Sequence, residues 1–277
     1  MSPDRPPARR SGKQRLDVAL VERGLAESRS AAQSLVLARE VRVDGQTAAK
    51  SSQLVSPETQ LEVMEPPAFV SRGGEKLKAA LESFGLEVIG KRCADVGAST
   101  GGFTDCLLQR GAARVFAIDV GHGILLWKLR QDPRVVVLER TNVRYLPALE
   151  SAVDLVTIDV AFISLRLVLP VVVGWLAPDG DVVALVKPQF EAGREAVGKG
   201  GVVRDSAVHR RVLDSTVAAM QAAGLGVQAV LRSPLRGPKG NVEFLMWGRQ
   251  GRPQEETLAL ALEVAVADPG RPRTTGH

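Results

Sequence analysis

The sequence predicts an α/β protein, a doubly wound sheet of seven strands preceded by a small α+β unit, and three observations carry that expectation. Beyond Glu65-Pro66-Pro67, seven short apolar strand candidates alternate with helical stretches. A glycine-rich turn, DVGASTGGFT at residues 95–104, follows the first of them. Before the prolines, the hydrophobic period switches from helical to two within a single short segment, which marks a separate unit.

Taken in order, residues 1–13 form a basic, proline-rich arm that is expected to be flexible; the apolar stretch of a secretory signal does not follow it. Residues 14–64 form the small unit. Leu16, Val18, Ala19 and Leu20 lead one amphipathic helix, and Ala31 to Ala38 lie on a second, with Ser28 placed to cap it. In Val41-Arg42-Val43-Asp44-Gly45 the period becomes two and Asp-Gly signals a hairpin; a further strand is expected from Gln60 to Met64. Residues 65–72 read as a linker, because two prolines without backbone donors break regular structure. The larger domain, 73–268, carries strand candidates at Arg92–Val96, Val115–Asp119, Val135–Leu138, Leu155–Asp159, Val182–Val186, Val227–Leu231 and Val242–Trp247. Leu185 and Val186 suit a central strand covered on both faces. Residues 269–277 are expected to be a disordered tail.

The 277 residues suit two cores better than one or three. Apolar residues make up 45% and charged residues 24%, an ordinary globular composition that argues against wholesale disorder. The formal charge of +5 favours a polyanionic partner, nucleic acid first. Cys93 and Cys106 stand in no metal-ligand spacing, so neither a disulfide framework nor a zinc site is expected and no metal is needed. The longest apolar run, Leu167 to Ala177, is about half a bilayer span and contains Pro170. No membrane partner is expected, and the protein is expected to be cytoplasmic.

Gly97, Gly101 and Gly102 allow the backbone to turn sharply and approach a ligand, with Ser99, Thr100 and Phe103 in the same turn. The spacing is not that of a dinucleotide turn, which seats a pyrophosphate on a helix terminus. Asp95 beside the loop suits a cationic ligand better. Asp119, followed by Val120, comes 22 residues after Gly97, where an acid takes ribose hydroxyls or caps the next turn. Asn142, after the third strand, reads an adenine edge or serves as a plain loop residue.

Four polar residues stand at element ends where an open α/β sheet binds its ligand: Lys76 in SRGGEKL, Asp159 ending the fourth strand, Lys187 ending the fifth and Glu243 in the seventh. They are expected to share one site with the glycine loop. In this order, K-D-K-E, the chain from Lys76 to Glu243 resembles the RrmJ/FtsJ-like ribose 2′-O-methyltransferases. With KPQFEAGREAVGKGGVVRD at 187–205 and SPLRGPKGNVEFL at 233–245, residues 14 to 250 resemble more closely the TlyA family of ribosomal RNA 2′-O-methyltransferases.

The resemblance implies a Rossmann-like seven-stranded domain that binds S-adenosyl-L-methionine through Asp95, Gly97, Ser99, Thr100, Gly101, Gly102, Phe103, Asp119, Val120, Asn142 and Asp159. It implies ribosomal RNA or ribosomal subunits as partner, and methylation of cytidine riboses in 16S and 23S ribosomal RNA. Through RLDVALVERGLAESRSAA it also implies that residues 14–63 resemble the RNA-binding domain named after a small-subunit ribosomal protein. Two departures stand out: Glu40 replaces the glycine usual before that domain's first strand, and GASTGG replaces a proline-containing cofactor loop.

A ribose hydroxyl is a very weak acid, so its attack on a sulfonium methyl needs a base, and a neutral lysine can serve. A second ammonium nearby and partial burial both favour the neutral amine. Lys187 is taken as the base, Lys76 as the residue that positions substrate, and Asp159 and Glu243 as the acids that orient the two amines; which lysine is neutral stays open.

Arg15, Arg29, Arg39, Arg42 and Lys50 in the small unit are expected to hold RNA phosphates, as are Arg194, Lys199, Arg236 and Lys239 in two glycine-rich loops. Aromatic residues are only 4%, which favours recognition by shape and backbone over stacking of many bases. Phe103, Phe162, Phe190 and Phe244 are expected to be packing residues, and His122 a loop residue near the cofactor. The rival readings are a non-catalytic RNA-binding assembly factor, a membrane-lytic haemolysin, a name some relatives carry, and a dinucleotide dehydrogenase. The oligomeric state is not legible.

Overall fold

The computed structural model describes residues 12–64, 67–198, 200–252 and 256–267. The expectations for residues 1–11 of the arm and for the tail at 269–277 lie outside them. The chain divides between Pro67 and Ala68 into two compact units.

In the first unit, β1 (Gln14–Arg15) leads into α1 (Leu16–Glu22) and α2 (Arg29–Leu37), followed by β2 (Val41–Val43), β3 (Gln46–Thr47), β4 (Leu54–Val55) and β5 (Leu61–Val63). The Ser28 hydroxyl caps α2 by accepting from the Ala31 amide at 3.1 Å. Asp44 and Gly45 have φ of 49° and 79°, the paired left-handed residues of a tight turn whose twist matches the β2–β3 hairpin. β5 pairs with the other edge of β2. Arg39, with φ 63°, turns the chain out of α2, so position 40 needs no glycine. Leu16, Leu20, Ala32, Val36 and Val41 form the core. Asp17 is buried and accepts from Arg15 at 2.8 and 3.0 Å, Gln33 at 2.9 Å and Arg29 at 3.3 Å. The Arg15 guanidinium above all holds this carboxyl well below the usual range.

The second unit runs α3 (Arg72–Phe84), β6 (Arg92–Val96), α4 (Gly102–Gln109), β7 (Arg114–Ile118), α5 (Trp127–Arg130), β8 (Val135–Leu138), β9 (Val153–Ile158), α6 (Leu165–Val173), β10 (Leu176–Val186), α7 (Pro188–Glu191), α8 (Ser206–Ala222), β11 (Leu225–Arg232), β12 (Phe244–Gln250) and α9 (Leu258–Val266). Residues 68–72, part of the expected linker, belong to this unit. The Phe69 ring packs on Gly74, where a Cβ would meet it at 2.2 Å, and the Val70 amide donates to Asp105 at 2.8 Å. The burial of Phe69 outweighs the proline signal just before it.

The sheet order is β11-β12-β10-β9-β6-β7-β8. β12 is antiparallel to both neighbours, and the remaining pairs are parallel. The chain lays β6, β7 and β8 outward, then returns to the other side of β6 with β9, so the order reverses between β6 and β9. Such a reversal opens a crevice at the carboxyl ends of the strands. Along β10, Val182, Ala184 and Val186 enter one core while Val183 and Leu185 enter the core on the opposite face.

Asp119 and Asp159 sit one residue past β7 and β9, and Glu243 sits one residue before β12 instead of inside it. The β10–β12 ladder ends at the Val186–Phe244 pair. Beyond it Lys187 turns into Pro188, which has no amide to donate. Among the described residues, no helix is long and apolar enough to cross a membrane.

Candidate active site

The glycine turn is shaped by its neighbours. Gly97 has φ 86°, and its amide and that of Ala98 both donate to the Ile118 carbonyl, at 2.8 and 3.1 Å. Ser99 is also left-handed, φ 49°, and its amide donates to Asp119 Oδ2 at 2.8 Å, while the Gly121 amide donates to Asp119 Oδ1 at 2.7 Å. Asp119 thus joins the turns that follow β6 and β7. Asn142 Oδ1 accepts from the Arg144 amide at 3.1 Å and so caps the short 3-10 turn at Val143–Tyr145.

Two cavities open over these turns. The larger, about 720 Å³, is lined by Asp119, Val120, Asn142 and Lys187; the smaller, about 450 Å³, by Lys76, Thr100, Gly102 and Phe103. Gly97, Ser99 and Asp159 line both and form their common rim.

The four K-D-K-E residues form two ion pairs: Asp159 stands on the common rim, Lys187 lines the larger cavity and Lys76 the smaller, and Glu243 lines neither but lies behind Lys76. Lys187 Nζ lies 2.5 Å from Asp159 Oδ1, and Lys76 Nζ lies 2.5 Å from Glu243 Oε2. The first pair comes from adjacent parallel strands, β10 and β9. The second depends on the reversed direction of β12, which puts its first residues beside the last residues of β10. Lys76 and Glu243 are nearly closed to solvent, at 10% and 2% exposure. Asp159 Oδ1 is buried and, although close to the lysine, receives no hydrogen bond of proper direction.

The profile of the FtsJ-like methyltransferases matches residues 69–250, and that of the S4 domain matches residues 14–61. The chain belongs to the FtsJ-like methyltransferase family. Over 256 residues it is 52% identical to the 16S/23S rRNA (cytidine-2′-O)-methyltransferase TlyA of Mycobacterium tuberculosis, across 91% of this chain and 95% of that one. It is 40% identical over 234 residues to Hemolysin A of Brachyspira hyodysenteriae, across 83% and 98%. The solved structure of a hemolysin-named protein from Streptococcus thermophilus aligns with a TM-score of 0.70 at 42% identity, across 92% of this chain and 96% of that one.

This methyltransferase depends on S-adenosylmethionine, and the residues present fit that cofactor. Asp119 offers carboxylate oxygens at the end of the second strand, where ribose hydroxyls are taken. Asp159 Oδ1, buried and without a well-directed hydrogen bond although Lys187 Nζ stands beside it, has acceptor capacity for a cationic group. Gly97, Ser99, Thr100, Gly102, Phe103, Asp119, Val120, Asn142 and Asp159 all line the cavities. Asp95 and Gly101 do not. The Asp95 side chain is fully buried and turned toward α4, where it accepts from the Thr104 amide at 2.9 Å and hydroxyl at 2.7 Å; burial lifts its pKa to about 7. It sets the turn from below. Gly101 precedes α4 as its N-cap with φ 102°, and the side of it that would carry a Cβ faces Leu125 and Leu129.

Of the expected RNA-binding residues, Arg15 and Arg29 of the S4 domain are tied to Asp17, Arg42 is exposed on β2, and Arg39 and Lys50 line a cavity of about 780 Å³. In the methyltransferase domain, Arg236 lines the smaller cavity and exposed Lys239 lies over Gly201. The Arg194 side chain and Lys199 lie outside the description. Phe103 and Phe244 are core residues as expected, but Phe162 is 90% exposed with φ 62° and meets Phe190 at 4.9 Å between ring centroids. His122 pairs with Glu139 at 3.0 Å and lines neither cavity.

Sequence reasoning missed Arg72 at the smaller cavity, although it stands one helical turn before Lys76. It also missed Asn241, whose buried amide donates to the Gly201 carbonyl and accepts from the Val203 amide, both at 2.9 Å, tying the two glycine-rich loops together. Asparagine in a glycine-rich loop reads as an ordinary turn residue.

Proposed function

We propose that this chain transfers a methyl group from S-adenosylmethionine to a ribose 2′-hydroxyl of ribosomal RNA, on cytidines of the 16S and 23S molecules, in the cytoplasm. The observation that carries the reading is the common rim of the two cavities, bracketed by the Lys187–Asp159 and Lys76–Glu243 pairs. The bound cofactor supplies an electrophilic methyl group.

Lys187, as the amine, takes the proton from the attacking hydroxyl, and Asp159 holds the ammonium that forms. Lys76, fixed by Glu243, orients the ribose through its ammonium protons. Asn241 keeps the 198–203 loop against the loop that delivers Glu243. The S4 domain adds affinity for phosphates through Arg15, Arg29, Arg39, Arg42 and Lys50, while Asp17 fixes the directions of the first two.

The test supplies methyl-labelled cofactor with ribosomal RNA and with isolated subunits, then maps 2′-O-methylation. Label on cytidine riboses supports the reading. Cofactor binding without transfer to any ribosomal particle would overturn it in favour of a non-catalytic assembly factor.

A further inference from the structure

The smaller cavity has a cationic rim that the proposed proton transfer does not use. Arg72, at the start of α3, and Arg236, in the 233–243 loop, both line it. Arg72 Nη2 donates to the Arg236 carbonyl at 3.0 Å, and Arg236 Nη1 donates to the Gly240 carbonyl at 3.2 Å. Each guanidinium is therefore anchored on a backbone oxygen. Among the described residues neither is paired with a carboxylate, whereas Lys76 in the same cavity is neutralised by Glu243 at 2.5 Å. Two uncompensated guanidiniums on one cavity attract an oxyanion, and their forked donors match a pair of phosphate oxygens.

Arg72 and Lys76 are one helical turn apart on one face of α3, about 5–6 Å between Cβ atoms. A ribose 2′-hydroxyl and the phosphodiester beside it are likewise separated by one edge of the sugar. Resting on the reading of the chain as a ribose 2′-O-methyltransferase, we propose that Arg72 and Arg236 form a phosphodiester subsite. It grips the phosphate next to the target ribose and so sets the 2′-hydroxyl at the level of Lys76 and Asp159. The carboxylate of the cofactor offers similar oxyanion chemistry, and the experiment separates the two sources.

Arg72→Gln, Arg236→Gln and Arg72→Lys are made in the full chain. Calorimetry gives S-adenosylmethionine affinity, a salt series gives affinity for ribosomal RNA, and single turnover at saturating RNA gives transfer. The glutamine variants are expected to keep their melting temperature and cofactor affinity, bind RNA roughly tenfold more weakly, and lose about 0.7–0.9 from the slope of log affinity against log salt. Transfer is expected to fall at least tenfold, and Arg72→Lys to recover affinity more than transfer, because it restores charge without the fork. Weaker cofactor binding with an unchanged RNA salt slope would overturn the proposal and assign the arginines to the cofactor carboxylate. Unchanged RNA affinity and slope in folded variants would leave no subsite at all. A wild-type chain that transfers no methyl group to ribosomal RNA would sink the functional reading instead, while the salt slopes still decide the subsite.

Discussion

The carbonyl oxygen of Asp159 lies 2.4 Å from the point where a Cβ on Gly97 would stand. The two residues follow β9 and β6, the strands between which the sheet order reverses, so their contact closes the rim common to both cavities. Gly97→Ala adds a methyl group against backbone, at a φ of 86° that side chains rarely adopt. Neither the clash nor the strain can be relieved by a rotamer change. Cofactor affinity is expected to fall at least tenfold, and calorimetry returning the wild-type value would contradict the fit argued for this turn.

In the proposed mechanism, the proton transfer depends on Lys187. Lys187→Ala is expected to lower single-turnover methyl transfer about 10²–10⁴-fold, the usual worth of a positioned base, while RNA affinity stays within a few-fold of wild type. Lys187→Arg keeps a charge beside Asp159 but cannot act as a base at neutral pH, and it is expected to be equally slow. Wild-type turnover in either folded variant removes Lys187 from the mechanism.

The Lys76–Glu243 pair is nearly closed to solvent, so its loss shows first in stability. Glu243→Gln leaves an uncompensated ammonium in a cavity wall, at a cost of about 3–5 kcal/mol. Replacing both partners, Lys76→Met with Glu243→Gln, removes the stranded charge and is expected to recover much of the melting temperature without recovering activity. A double variant no more stable than Glu243→Gln alone would show that the pair does not act as a unit.

Two buried aspartates give opposite pH signatures. Burial lifts Asp95 to about 7, so the folded chain holds that proton more tightly than the unfolded one. Its contribution to stability is full below the unfolded value, near 4, and declines as pH rises toward 7. Asp17 is depressed, chiefly by Arg15, so its contribution is full above that value and is lost as pH falls. In urea unfolding, the stability of wild type relative to Asp95→Asn is expected to decline between about pH 4 and 7, and relative to Asp17→Asn to decline only in more acid solution. A flat difference in either series refutes the corresponding assignment.

The sheet and the glycine turn were legible because both are local signals: apolar runs of strand length, and a glycine cluster between a strand and a helix. Less legible was anything set by how separate elements meet. Glu243 alternates within an apolar run, so it reads as a residue inside a strand; only the antiparallel ladder from Phe244 to Val186 shows that it stands at the sheet end where β10 gives way to Lys187. Asp95 next to a glycine loop reads as a ligand contact, yet the helix that follows covers it through Thr104. Phe69 hid behind two prolines, because sequence registers the break before the packing that follows it.

Phe162 is the case where pattern and structure part most widely. An apolar ring beside Asp159 reads as core, but it stands 90% exposed at the larger cavity on a left-handed backbone, braced by Phe190. An exposed ring stabilises the fold very little, and a non-glycine residue at φ 62° costs more than an ordinary loop conformation. A stacking surface for the base of the target nucleotide accounts for both, since each stacked base contributes about 1–3 kcal/mol to binding. Phe162→Ala is therefore expected to leave the melting temperature within a degree or two and lower kcat/KM for ribosomal RNA about 5–150-fold, with Phe162→Tyr near wild type. A variant that loses stability but keeps its kcat/KM would return this ring to a packing role.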